Sequence, residues 1–92
     1  MLRVAVRKNN PSEIVEAGDY CIFELGSKQD AGFFFMCPHE GCGDESHVPL
    51  APMVERGWKW DEAARTLSPS IQRRDPRRCE HHFSLINGEW VP

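Results

Sequence analysis

The feature that most constrains this 92-residue chain is a pair of short cysteine and histidine clusters far apart in the sequence. Cys37-Pro38-His39-Glu40-Gly41-Cys42-Gly43 is a C-x4-C knuckle whose two glycines let the backbone turn tightly. Cys79-Glu80-His81-His82 supplies a C-x2-H knuckle. Zinc takes thiolates and imidazoles in a tetrahedron, and two short-range pairs brought together by a fold provide one. Each pair closes a small loop, so much of the entropic cost of assembly is met locally. The expected ligands are therefore Cys37, Cys42, Cys79 and His82, with His39 as the alternate to Cys42. A lone C-x4-C would say little; the second pair gives the pattern its weight. Cys21 sits between Tyr20 and Ile22 in an apolar run and reads as core packing. His47 and His81 are spare candidates: the i, i+3 spacing of Cys79 and His82 suits a knuckle better than His81, and no knuckle surrounds His47.

A staple of this kind matters at this size. A small domain buries only about 60% of its unfolded surface, so its core is marginal. Structural zinc contributes about 10–16 kcal/mol in small zinc domains, against a total stability of about 5–15 kcal/mol. The length predicts a single domain over residues 1–92. Charged residues make up 27% of the chain with a net charge of −3, which does not suggest wholesale nucleic-acid binding. No apolar run of about 18 residues is present, and no secretory signal is legible, so a reducing cytoplasm is expected. In that setting four spaced cysteines read as metal ligands or core rather than disulfides.

The local patterns are mostly those of strands. Leu2 to Val6 alternates with Arg3 and Arg7, and Tyr20 to Leu25 is a second strand closed by Gly26-Ser27. Between them, Ser12 to Ala17 has the makings of one helical turn capped by Ser12. Phe33-Phe34-Phe35-Met36 reads as a buried strand running into Cys37. His47 to Leu50 is a short strand at best, because Pro49 and Pro52 interrupt pairing. Trp58-Lys59-Trp60 alternates, Glu62 to Arg65 makes a turn, and Thr66 to Ile71 looks extended and bent by Pro69. The sharpest local signal closes the chain: Phe83-Ser84-Leu85-Ile86, Asn87-Gly88, Glu89-Trp90-Val91 is a β-hairpin on a type I′ turn. The predicted class is mainly β, a small α+β arrangement being the variant, as a zinc-ribbon-like domain with little helix and a C-terminal hairpin.

Two families share motifs with this chain. Cys37, His39, Cys79 and His82 stand in the C-x-H and C-x2-H order of Rieske ferredoxin boxes, and that resemblance implies a [2Fe–2S] cluster and electron transfer. It would leave Cys42 without a role. More broadly, Gly41-Cys42-Gly43, Thr66-Leu67-Ser68-Pro69-Ser70-Ile71, and Cys79-x-x-His82-Phe83 resemble a family of small uncharacterised proteins of bacteriophages and bacterial mobile elements. The likeness runs from about residue 33 to residue 91, and its last two motifs are the specific ones. It implies a compact zinc-binding domain in a phage or mobile-element setting. The family pattern has a tighter cysteine cluster at the first knuckle, which leaves Cys42 and His39 both open as the second ligand.

No frame for a catalytic metal is present, neither H-E-x-x-H nor H-x-E followed by P-C-x-x-C. The sequence therefore predicts a non-enzymatic binding module whose partner is a macromolecule, a host protein being favoured over nucleic acid. Arg73-Arg74-Asp75-Pro76-Arg77-Arg78 offers Arg73, Arg74, Arg77 and Arg78 as a candidate partner-binding loop. The first 46 residues carry a net −4 and the last 46 a net +1, a polarity that suits a protein surface. Oligomeric state is not legible.

Overall fold

The computed structural model describes residues 2–24, 31–50 and 57–92. They form two four-stranded sheets, which makes the molecule mainly β as the sequence patterns predict. The first sheet has β1 (Val6–Arg7), β2 (Asp19–Glu24), β3 (Ala31–Met36) and β4 (Glu45–Pro49) in that spatial order. β1 pairs parallel to β2, and the other pairs are antiparallel. The second sheet is an antiparallel meander of β5 (Lys59–Asp61), β6 (Thr66–Gln72), β7 (His82–Ile86) and β8 (Glu89–Val91). Among the described residues no helix is long and apolar enough to cross a membrane. The expected strand end at Leu25, its close at Gly26-Ser27 and the interruption at Pro52 lie outside the described residues.

Period-2 alternation builds the core. Phe33 and Phe35 are fully buried while Phe34 and Met36 are only partly so, which replaces the expected wholly buried strand by an alternating one. Tyr20, Phe33, Phe35 and Val48 of the first sheet meet Leu67, Ile71, Phe83, Leu85 and Trp90 of the second in one apolar cluster. Tyr20 stacks on Phe33 at 5.3 Å, and Trp90 stands edge-on to Phe83 at 5.4 Å. Such pairs add about 0.5–1.5 kcal/mol each beyond simple burial. The Trp90 indole N–H donates to the Gly18 carbonyl at 2.9 Å, joining the two sheets by a buried hydrogen bond. Trp58 and Trp60 pack half-buried against the same cluster. Cys21 is fully buried on the opposite face of β2 from Tyr20.

Three local expectations change. Leu2 to Val6 is not a strand: only Val6 and Arg7 pair with β2, while the Arg3 N–H donates to Pro38 O at 2.9 Å. The N-terminal segment thus leans on the first knuckle instead of a sheet neighbour. The helical turn is a 3₁₀ turn over Pro11–Glu13, capped by Asn10 rather than Ser12. The Asn10 carboxamide accepts from the Ser12 N–H, and Pro11 occupies the position where a missing N–H costs nothing. His47 to Leu50 is extended further than expected, since β4 pairs with β3 from Glu45 through Pro49. The hairpin is as predicted, with Asn87 at φ 50° and Gly88 at φ 78° supplying the two left-handed residues of a type I′ turn.

Candidate functional site

The first knuckle leaves the end of β3 at Cys37, whose N–H donates to Asp44 O at 2.8 Å. The Cys42 N–H donates to His39 O at 3.1 Å, and Gly41 and Gly43 take positive φ, so the loop folds back on itself. The second knuckle is a turn built on Asp75, whose backbone exchanges hydrogen bonds with Cys79 at 2.8 and 3.0 Å. Asp44, with its carboxylate almost wholly buried, clamps the two together through Arg73 Nε at 2.9 Å and Arg78 at 3.0 Å. The four loop arginines therefore do not form one free patch. Arg73 and Arg78 anchor the knuckles, and Arg74 and Arg77 are exposed.

This clamp brings the ligand atoms of Cys37, Cys42, Cys79 and His81 within 4.8 Å of one another. Cys37 Sγ and Cys79 Sγ are 3.8 Å apart, and each lies 3.5 Å from His81 Nδ1. A tetrahedron with Zn–S near 2.3 Å and Zn–N near 2.0–2.1 Å has edges of about 3.8 and about 3.6 Å. The donor set and its spacing fit a thiophilic divalent cation. Burial pushes the Cys37 and Cys79 thiols up from their ordinary range, and the crowding of neighbouring thiols adds to it at Cys37. A cation at the centre would supply the charge that such thiolates need.

The structure places the sequence-predicted residues unevenly. Cys37, Cys42 and Cys79 converge. His39 does not join them; its ring stacks on that of His81 at 3.9 Å, and burial together with that neighbour lowers its pKa. His47 stacks on Phe34 at 4.9 Å. His82 lies outside the cluster altogether, and His81 stands where it was expected. Strand parity explains the exchange. Phe83 and Leu85 must face the core, so Cys79 and His81 share their side while His82 and Ser84 face outward. The set Cys37, His39, Cys79 and His82, which an iron–sulfur site would need, is not brought together.

On that outer face His82 meets a residue absent from the expectations. His82 Nε2 lies 2.8 Å from Ser70 Oγ. Ser70 reaches it through an irregularity in β6. Leu67 pairs with Leu85 and Ile71 with Phe83, so three residues, Ser68 to Ser70, stand opposite Ser84 alone. A bulge of this kind re-aims side chains and bends the strand. The Ser68–Pro69 peptide within it is cis. The Trp58 indole donates to Ser70 O at 3.4 Å, which fixes the serine's backbone from the other side. Among the described residues no carboxylate lies within ion-pair distance of His82. A serine hydroxyl bonded to an exposed imidazole is the minimal arrangement for nucleophilic catalysis with a general base. A signal for it was present: Ser70 and His82 are fixed positions of T-L-x-P-S-I and C-x2-H-[FY], the two most specific motifs of the resemblance.

A family model described as "Bacterial ubiquitination-like system serine protease (BubE)" matches residues 6–92. No curated protein and no solved structure matches the chain. The match overturns two expectations, the non-enzymatic zinc-binding module and its Rieske-type alternative. The family's description names an enzyme, not an electron carrier or a non-enzymatic binding module. No local frame in the sequence marks an enzyme: the Ser70 hydroxyl and the His82 imidazole that meet come from different strands. With all but its first five residues inside the match, the chain belongs to the BubE family of bacterial ubiquitination-like system serine proteases.

Proposed function

We propose that this chain is a serine hydrolase with Ser70 as nucleophile and His82 as its general base. Its substrate is a peptide or isopeptide bond at the C-terminal end of a ubiquitin-like protein. The 2.8 Å contact between His82 Nε2 and Ser70 Oγ carries the reading, and the family's description supports the substrate class. Ser70 Oγ bonds to the scissile carbonyl carbon as its proton passes to His82 Nε2. The tetrahedral intermediate collapses, the C–N bond breaks, and the departing amine takes that proton from His82. Water then attacks the acyl-Ser70 ester, with His82 accepting its proton and returning it to Ser70. With no carboxylate at ion-pair distance from His82 among the described residues, the pair acts as a dyad.

Cys37, Cys42, Cys79 and His81 hold zinc as a structural ion in this reading. Four protein donors leave no open position for a metal-activated water, so the ion supplies architecture and not the nucleophile. A cluster of reduced thiols also suits the bacterial cytoplasm. The test is labelling of the purified protein with a fluorophosphonate probe, followed by mass mapping. Labelling is expected on Ser70, with S70A and H82A lowering it by about 1,000-fold or more. A ubiquitin-like protein extended at its C-terminus should be trimmed by the wild type and left intact by S70A. Equal labelling or trimming by S70A and wild type would overturn the assignment.

A further inference from the structure

We propose that the metal cluster and the Ser70–His82 pair form one coupled unit: tethering residue 81 to a cluster-bound divalent cation seats the His82 imidazole against Ser70. The inference rests on the serine-hydrolase reading and adds a positioning role for His81. His81 and His82 are consecutive, and in extended chain they point to opposite faces. The inward ring has its Nδ1 3.5 Å from two thiol sulfurs, while the outward ring bonds Ser70 at 2.8 Å.

Little else fixes that outward ring. His82 is exposed, and Ser70 is its hydrogen-bond partner among the described residues. It also opens β7, and its pairing with Gln72 is the last rung of the β6–β7 ladder before the chain leaves the sheet. Beyond that rung the backbone is held by the Arg73 N–H on His81 O at 2.9 Å and by the Gln72 amide, which donates to Arg73 O and Glu80 O. The two Gln72 bonds are exposed, and the next backbone pairing beyond them is that of Asp75 with Cys79. The inward anchor is the cluster, where Cys79 and His81 are two of the four ligands. A displacement at His81 crosses one peptide unit to reach His82, and a misplacement of about 1 Å at a catalytic group costs about 100-fold in rate.

Removing the cation is expected to destabilise a chain this small as a whole, so the decisive variant keeps the metal. In H81A at saturating zinc the three cysteines retain one zinc, read by native mass spectrometry, and circular dichroism reports the fold. The expected result is a fall of at least about 10-fold in fluorophosphonate labelling of Ser70. The His82 imidazole ¹⁵N signal should move to its position in S70A, where the partner hydroxyl is gone. H81C restores a fourth donor of similar reach and should bring labelling back to within about threefold of wild type. Zinc-loaded, folded H81A that labels at the wild-type rate and keeps the wild-type His82 signal would overturn the coupling. If H81A does not fold, folded and zinc-loaded H81C that fails to label would overturn it equally, because the tether would then be intact without effect. Absence of labelling in the wild type itself would sink the hydrolase reading instead, leaving the His82 signal in H81A to decide the positioning claim.

Discussion

Asp44 is the residue on which both knuckles lean. Its carboxylate is almost wholly buried and takes Arg73 and Arg78 at 2.9 and 3.0 Å, so it links the first ligand loop to the second. Replacing it by Asn leaves two guanidinium groups without an anion, one of them largely inside the protein. D44N should lose about 2 kcal/mol in urea unfolding of the zinc-loaded protein. The double variant R74A/R77A should change stability by less than about 0.5 kcal/mol, because both side chains face water. Cys21 illustrates a different kind of constraint. Burial, with smaller contributions from Glu13 and Glu45, pushes its thiol up to about 11 from 9.0. The neutral thiol is favoured in the folded state, so this contribution to stability is complete below pH 9 and is lost as pH rises towards 11. C21A should flatten the alkaline decline in melting temperature, and an unaltered decline would contradict the assignment.

At the level of elements, the β6–β7 pair does most to organise the site. β7 presents Phe83 and Leu85 inward and His82 outward, while the bulge in β6 turns Ser70 towards that same outer face. The hairpin that follows holds β7 in register through Leu85 opposite Trp90. Its turn depends on Gly88 at φ 78°, where an added Cβ would meet only the Arg65 side chain at ordinary contact distance. G88A should therefore cost about 1 kcal/mol, the strain of the left-handed backbone alone, measured by chemical denaturation. A cost near zero would mean that the turn relaxes to another type.

At the scale of the molecule, two sheets share one apolar cluster, and the ligand loops close one end of it. Cys37 and Cys79 belong to that cluster and to the Cys/His ligand cluster alike, so the core and the candidate metal site are continuous. One zinc per chain is expected by elemental analysis. Chelation under reducing conditions should lower the melting temperature by about 20 °C or more, since each kcal/mol lost moves a domain of this size by about 4–8 °C. A fully metal-free protein with an unchanged melting temperature would contradict the staple.

The two cysteine-bearing knuckles, the β class and the closing hairpin were legible in the sequence, because each knuckle, strand and turn is written in neighbours only a few residues apart. Cysteine spacing closes a short loop, Asn87-Gly88 specifies a turn, and Phe83-Ser84-Leu85 sets a period of two. That same period implied that residue 81, not residue 82, shares the inner side, yet knuckle spacing alone pointed to His82. What the tertiary structure decided is the pairing of groups from different strands. Ser70 reaches His82 because an irregular rung shifts β6 against β7, and Asp44 reaches Arg73 and Arg78 because the two loops dock end to end. Local sequence fixes which way a side chain can point; strand register and docking determine what stands there to meet it.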